Sequence, residues 1–514
     1  MVDGDGSLRE GMTVVIRRGT IETLQAGAPV PDDARRVEWE GGTLHVYPGF
    51  VDGEGFADVS IPAPDRDGVQ AWSPTREVQD FRPGRLAADF LSEDGSSLTS
   101  YRRKGVVASL AFPGRGPVPG QVAAILHRPE ARTAQELVVA RSVGVAMSFQ
   151  GARGAYPGTL FGVMALIRQG FLDAEHHAAR MAAFASDARR LEVGAWDEDL
   201  RVLEEVRRGD RTVFFQAGGA EDIRRVLALS REIGFEPVIV GGHEAGVVAG
   251  ELAARNVPVL FSLDFPTPRE WSPDSDEELT PAAHREKERL EGIYRTPAAL
   301  QEAGVRFAFT SGGSSGTDLL AGVRKAVEYG LAPEAAVRAL TRTPAELLGL
   351  AGLGRIQEGL AANLVVTGGP ITDEDTRIAW TFVNGRAERG ADLRAPDEPD
   401  ETDGPPAEIG GSWEARVEAQ GMTMPVTMTI EQDGTTFTGI MEGDMGTSRI
   451  VNGVIRGSSL TFGIEVAGME PAIRVSARVE EGRIRGTGSG PEEVGTFTFT
   501  ATRGPGALFQ GGVR

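Results

Sequence analysis

Three ionisable side chains stand where predicted strands end: Glu54 in "VYPGFVDGEGF", His243 in "VGGHEA" and Asp264 in "SLDFP". Two carboxylates and an imidazole that converge can hold one metal ion or share protons as acid and base. The plainer reading is three polar residues hydrogen-bonded at strand ends. A second pattern, "GGSSG" (312–316), matches G-x-S-x-G and lies between a predicted strand and a predicted helix, the context of a nucleophile elbow with Ser314 as nucleophile. No His follows Ser314, so the order Ser, Asp, His is impossible, and the base would have to be His243 or His284. A Gly-rich loop is the simpler account, and it lacks the Gly-Lys-Ser/Thr ending of a phosphate loop. His176 and His177 are adjacent on a predicted helix, share no face, and so read as solvated residues rather than a metal pair. The acidic run "SPDSDEEL" (272–279) lacks the spaced ligands and central Gly of a calcium loop and reads as a solvated insertion.

Composition narrows the classes. At 514 residues, two or three domains are expected. The net charge of -21 argues against nucleic acid and anionic membrane surfaces as partners. No apolar run approaches the ~18 residues of a transmembrane segment. Cysteine is absent, which removes disulfides, thiolate metal sites and a Cys nucleophile. Lysine is limited to Lys104, Lys287 and Lys325.

The elements that must position these residues follow from periodicity. Residues 11–47 read as short strands, with turns at Arg18-Gly19 and Gly41-Gly42. From about 100 to 350, apolar strands alternate with helix-period segments. The strands are "GVVASLAF" (105–112), "QVAAIL" (121–126), "VGVAMSF" (143–149), "TVFFQAG" (212–218), "EPVIVGG" (236–242), "VPVLFSL" (257–263) and "VRFAFTS" (305–311). With "YPGFVD" they make eight, and alternation of this kind predicts a parallel sheet closed as a (β/α)8 barrel. Strand texture returns in "GRIQEGLAANLVVTGG" and "IAWTFVNGRAE". The resulting expectation is an α/β protein. A β-sandwich begins at 1–45, a barrel spans 46–354 and the sandwich is completed by 355–387. An acidic, Pro-rich linker follows at 388–408, then a small antiparallel β-barrel at 409–503 and a tail at 504–514. Turns are predicted at Asp433-Gly434 and Asn452-Gly453. The last domain holds six of the eleven methionines (422, 424, 428, 441, 445 and 469). They read as core filling, with an apolar-ligand site as the alternative.

The order strands, barrel, strands resembles the amidohydrolase superfamily. "VYPGFVD" resembles its first barrel strand. "FAFTSGG" and "AVEYGLAPEAAVRALTRTPAELLGLAGLGRIQEGLAANLVV" resemble its last strand, closing helices and return to the sandwich. "FLDAEHHA", "EDIRRVLALSREIGFEPVIVGGHEA" and "ELAARNVPVLFS" resemble the imidazolonepropionase-like branch, especially its exported bacterial members. The C-terminal domain resembles a small calycin-like barrel. In the superfamily another strand usually precedes "DGDGSLREGMTVVIRRG", so the resemblance implies a truncated or misassigned start. The compartment is then periplasmic or extracellular if the true start carries a signal peptide, and cytoplasmic otherwise.

The resemblance also implies a site: one or two divalent metals, zinc typically, held by an H-x-H pair after strand 1, a His after each of strands 5 and 6, and an Asp after strand 8. Those positions are Glu54 and Phe56, Gln216, His243, and Ser311 or Gly312. Phe cannot ligate and an amide ligates weakly. At most one of the five implied ligands, His243, remains, so no cofactor is assigned unless the site keeps zinc in part. Hydrolysis of cyclic or other non-peptide amide C–N bonds is the implied family reaction. The leading expectation is a pseudoenzyme or weak hydrolase with a binding or partner role, paired with an active amidohydrolase relative or self-associated as a homo-oligomer. The alternatives are a hydrolase using Glu54, His243 and Asp264 with or without metal, and an extracellular binding protein acting through its C-terminal barrel.

Overall fold

The computed structural model describes residues 1–37, 43–55, 59–92, 96–152, 154–186, 196–266, 280–313, 318–390, 407–419, 422–443, 446–465, 473–480, 482–489 and 496–503. Phe56, Ser314, the acidic run 272–279, the Gly41-Gly42 turn, most of the linker, the tail, Met445 and Met469 lie outside them, as does the side chain of Met422. The chain divides into two compact units, Met1–Leu393 and Arg394–Arg514.

The first unit contains β1 (Met12–Arg17), β2 (Thr20–Ala26), β3 (His45–Pro48), β4 (Phe50–Gly55), β5 (Val106–Ala111), β6 (Gly120–Leu126), β7 (Val138–Ser148), β8 (Val213–Ala217), β9 (Pro237–Gly241), β10 (Val259–Ser262), β11 (Phe307–Thr310), β12 (Leu364–Thr367), β13 (Ile378–Val383) and β14 (Arg386–Arg389). β1 and β2 form a hairpin whose turn residues, Arg18 and Gly19, both have positive φ (51° and 84°), as a two-residue turn matching strand twist requires. This hairpin shares one apolar core with a second sheet of order β14-β13-β12-β3, through Ile21, Leu364, Val366, Ala379 and Phe382. The chain leaves that sheet after Pro48 and enters the large one at Phe50, so "YPGFVD" is split between two sheets. The strands of the first sheet thus run to residue 48, beyond the boundary at 45 expected from sequence.

The large sheet has eight strands in the order β11-β10-β9-β8-β7-β6-β5-β4. β4 and β5 are parallel, as are all neighbours from β7 to β11, but β6 is antiparallel to both β5 and β7. This corrects the all-parallel expectation. The reason is chain length: eight residues, 112–119, separate β5 from β6, and a parallel crossover needs about a dozen. The two edge strands approach each other through a parallel bridge, Gly55 to Gly313. Helices cover the outer face, with Ile223, Val226, Leu252, Leu290, Val323 and Leu340 among the fully buried side chains. Several start at side-chain caps: Asp197 accepts from the Leu200 amide, Thr280 from Ala283 and Asp318 from Ala321.

The second unit is a closed, all-antiparallel barrel. It consists of β15 (Gly411–Ala419), β16 (Met422–Asp433), β17 (Thr436–Gly443), β18 (Gly446–Arg456), β19 (Ser459–Glu465), β20 (Ile473–Glu480), β21 (Arg483–Ser489) and β22 (Thr496–Arg503), each paired with the next and β22 with β15. Closure removes every sheet edge. Trp413, Met428, Ile430, Phe437, Phe462 and Phe499 fill the interior, with Met424 and Met441 partly buried against them. Asn452-Gly453 is not a turn. It lies inside β18 at a bulge, and the hairpin turns after Arg456 instead. Gly453 is needed there because a Cβ would sit 2.3 Å from the Phe437 carbonyl oxygen.

Candidate functional site

Because seven of the eight strands run the same way, their C-terminal ends gather Glu54, Gln216, His243, Asp264, Ser311 and Gly312 on one side of the sheet. The sheet curls far enough for strands four places apart in its order to touch: the Gln216 amide on β8 donates to Glu54 Oε1 on β4 at 3.0 Å. Glu54 is 3% exposed. The Arg115 guanidinium lies 3.8 Å from the same oxygen, on the loop between β5 and β6; that side chain is half-exposed. Burial raises the Glu54 carboxyl to about 7, opposed by Arg115 and Gln216 and reinforced by the charges of Asp52 and Asp264.

Asp264, two residues past β10, reaches solvent. Its carboxyl is pushed upward by partial burial, while the charges of His243 and Arg115 pull it down. His243 follows β9. Its ring meets Phe261 edge to face at 5.9 Å, and its buried Nε2 has no hydrogen-bond partner among the described residues. Burial lowers its pKa, against the charge of Asp264 and the carbonyls of Ser262 and Asp264, so the ring is neutral at neutral pH. The three residues singled out from sequence therefore share one electrostatic neighbourhood, Glu54 and Asp264 both facing Arg115 and Asp264 facing His243.

Sequence reasoning missed Asp52, Thr310 and Arg115. Asp52, 1% exposed, accepts from Thr310 Oγ1 (2.7 Å), the Ser311 amide (2.9 Å), the Ser311 hydroxyl and the Glu54 amide (3.1 Å). It ties β4 to the end of β11. Its spacing two residues before Glu54 was a usable signal for a second inward carboxylate. Arg115 sits in the Gly/Pro-rich "PGRGPVPG", where nothing marks it. Sequence also gave no reason to join Ser109 and His127. The Ser109 hydroxyl lies 2.8 Å from His127 Nε2, and Nδ1 lies 3.1 Å from the Val106 carbonyl. A carbonyl only accepts, so Nδ1 carries the proton and Nε2 accepts from Ser109. At 2% and 0% exposure the pair is sealed in the core, and burial lowers the imidazole to about 3. His176 is exposed and His177 half-buried on the helix Leu160–Ser186.

The amidohydrolase family model matches residues 279–388, which include β11, the helices after it and β12 to β14. The chain is similar to an amidohydrolase from Thermotoga maritima MSB8, with 23% identity and a TM-score of 0.59 over 73% of this chain and 94% of that one. At that identity the likeness shows the amidohydrolase fold. A putative prolidase from Bifidobacterium longum gives 17% identity and a TM-score of 0.45 over 77% of this chain and 94% of that one. No curated relative matches the chain.

The residues present do not fit the divalent metal that the amidohydrolase fold implies. Among the described residues, no three His, Asp or Glu side chains converge as a metal would need. Gln216 is committed to Glu54, and Ser311 donates its hydroxyl to Asp52. Position 312 has no room for a carboxylate. Gly312 has φ +69°, and a Cβ would lie 2.6 Å from Ser262 Oγ and 3.0 Å from Asp264 Cβ. Asp264 occupies the space that a side chain at 312 would enter.

Proposed function

We propose that this amidohydrolase-family chain, of imidazolonepropionase-like type, binds a small polar ligand at the strand ends rather than hydrolysing it with a metal. One observation carries the reading. Glu54 and Gln216, which the family resemblance equates with two metal-ligand positions, are hydrogen-bonded to each other at 3.0 Å. A contact that satisfies two ligand positions within the protein removes the need for a cation between them. Arg115 supplies positive charge beside the same carboxylate. A second reading rests on Glu54 alone: a buried carboxyl near 7 is poised as a general acid or base at neutral pH. In that reading Glu54 moves the proton while neutral His243 and Asp264 orient the substrate. The filled interior of the C-terminal barrel does not favour a ligand held inside it.

The test is metal content by plasma mass spectrometry on untagged full-length protein, after incubation with Zn²⁺, Mn²⁺ or Fe²⁺ and desalting. Binding without metal requires sub-stoichiometric metal that is the same in His243→Ala. Near-stoichiometric metal that falls in His243→Ala overturns it. Turnover of a hydantoin, lactam or dipeptide panel, lost in Glu54→Ala, establishes the acid–base hydrolase in its place.

A further inference from the structure

We propose that the outer face of the helix Leu160–Ser186 is a self-association surface, on which a second copy of this chain docks antiparallel about a two-fold axis at Leu172. This does not rest on the reading of the ligand site. The helix has 27 residues, ~40 Å of length. Its buried residues are Val163, Ile167, Gly170, Phe171 and Ala174; past Ala174 about three further turns continue with none buried. Meanwhile its outer face shows apolar side chains to solvent, Phe161 at 86% and Leu172 at 60% exposure. Tyr156 extends that apolar surface at the N-terminal end, and exposed Trp72 adjoins its backbone partner in sequence. The Tyr156 ring lies against Gly162, and the Tyr156 amide donates to the carbonyl of Ala71, the neighbour of Trp72, which is 75% exposed. Exposed apolar surface of this extent marks an interaction site.

The occupant follows from the order of side chains along the stripe. Phe161, Ala165, Leu172, Ala179 and Ala183 are all exposed and recur at helical spacings on one face. A two-fold interface requires a patch complementary to itself. An antiparallel pair centred on Leu172 sets Phe161 opposite Ala183 and Ala165 opposite Ala179, with Leu172 against its own copy. Large therefore meets small at each end, and small meets small between, which lets the helices approach closely. On the flank, the Gln169 amide already donates to Asp173 of its own chain at 2.7 Å. Arg168, opposite His176, is already neutralised by Glu232 of its own chain at 2.6 Å. Two such helices in contact along their length, with Tyr156 at each end, cover an area of the order of the ~800 Å² per partner of a stable interface.

The absence of cysteine makes the register directly testable. Leu172→Cys puts one thiol per copy on the axis. On mild oxidation of the full-length protein, Leu172→Cys forms a disulfide-linked dimer, whereas Val247→Cys, an exposed control after β9 (70% exposed), does not. Sedimentation velocity of the native chain at low micromolar concentration shows a dimer. Phe161→Glu, exposed and tolerable to the fold, weakens it at least about ten-fold in Kd, with an unchanged circular dichroism spectrum. A monomer at tens of micromolar overturns the proposal, as does a dimer that survives Phe161→Glu or fails to cross-link at 172.

Discussion

Asp52 and Glu54 are two residues apart on one strand, both almost fully buried, and differently supported. Asp52 accepts four hydrogen bonds, three of them from Thr310 and Ser311 at the end of β11. Among the described residues, Glu54 accepts one, from Gln216, with a half-exposed guanidinium beside it. A buried carboxylate with four donors is part of the framework, although burial still pushes its carboxyl upward against them. One left with so little support persists at a cost, and such costs collect where a protein acts rather than where it is merely held together. The difference separates the seam between β4 and β11 from the site beside it.

The largest expected effect comes from breaking the seam. Asp52→Ala takes the acceptor from two buried amides and the nearer acceptor from two buried hydroxyls, which keep only the Glu54 carbonyl at 3.3 and 3.4 Å, and should destabilise the first unit by ~3–5 kcal/mol in urea unfolding. Asp52→Asn retains the shape and one acceptor oxygen and should cost less. If Asp52→Ala unfolds at the native urea concentration, the seam is not what Asp52 holds, and the contrast with Glu54 falls.

Glu54 should behave in the opposite sense. Its folded pKa, about 7, lies above the ordinary 4.5. Between those values the unfolded chain has lost the proton that the native state keeps. The group's contribution is therefore fully present below pH 4.5 and is lost as pH rises through about 7. Glu54→Gln keeps the neutral form at every pH and can still accept from Gln216. It should match the native protein near pH 4.5 and exceed its stability above pH 7, by up to ~3 kcal/mol. Thermal or urea unfolding at a series of pH values checks this. A variant less stable than the native chain at pH 8 would mean that Glu54 is as well supported as Asp52.

How far these roles were legible from the chain depends on the interaction. The eight strands of the large sheet and the closed C-terminal barrel follow from alternation and turn residues, because burial of one face is written in every second side chain. The reversal of β6 was legible too, in a linker of eight residues that cannot hold a crossover. It was overridden by the count of apolar strands. Asn452-Gly453 misled because the same glycine that permits a tight turn also permits a close approach inside a strand. Glu54, Gln216, His243 and Asp264 were found as strand-end residues. Their bonding was not, since the contact between Gln216 and Glu54 joins positions 162 residues apart. Arg115 was hidden for the same reason, on a loop whose direction only the curled sheet determines.

Arg115 gives the smallest effect and the finest test of the contrast. Its guanidinium is the largest influence holding the Glu54 carboxyl down against burial, yet at 3.8 Å and half-exposed it is screened by solvent. Arg115→Met should raise the pH at which the stability difference between Glu54 and Glu54→Gln chains is half developed. The rise should amount to less than ~1 kcal/mol of interaction, within the range of an exposed ion pair. It should shrink in high salt, as charge pairs open to solvent do. Urea unfolding of Arg115→Met and of Arg115→Met with Glu54→Gln, across the same pH series, isolates the pair. The Asp52 seam is held by neutral hydroxyls and amides, so its hydrogen bonds should not depend on salt, although the Asp52 charge also acts on the Glu54 carboxyl. A midpoint unmoved by Arg115→Met would show that burial and Gln216, not the guanidinium, set the proton on Glu54.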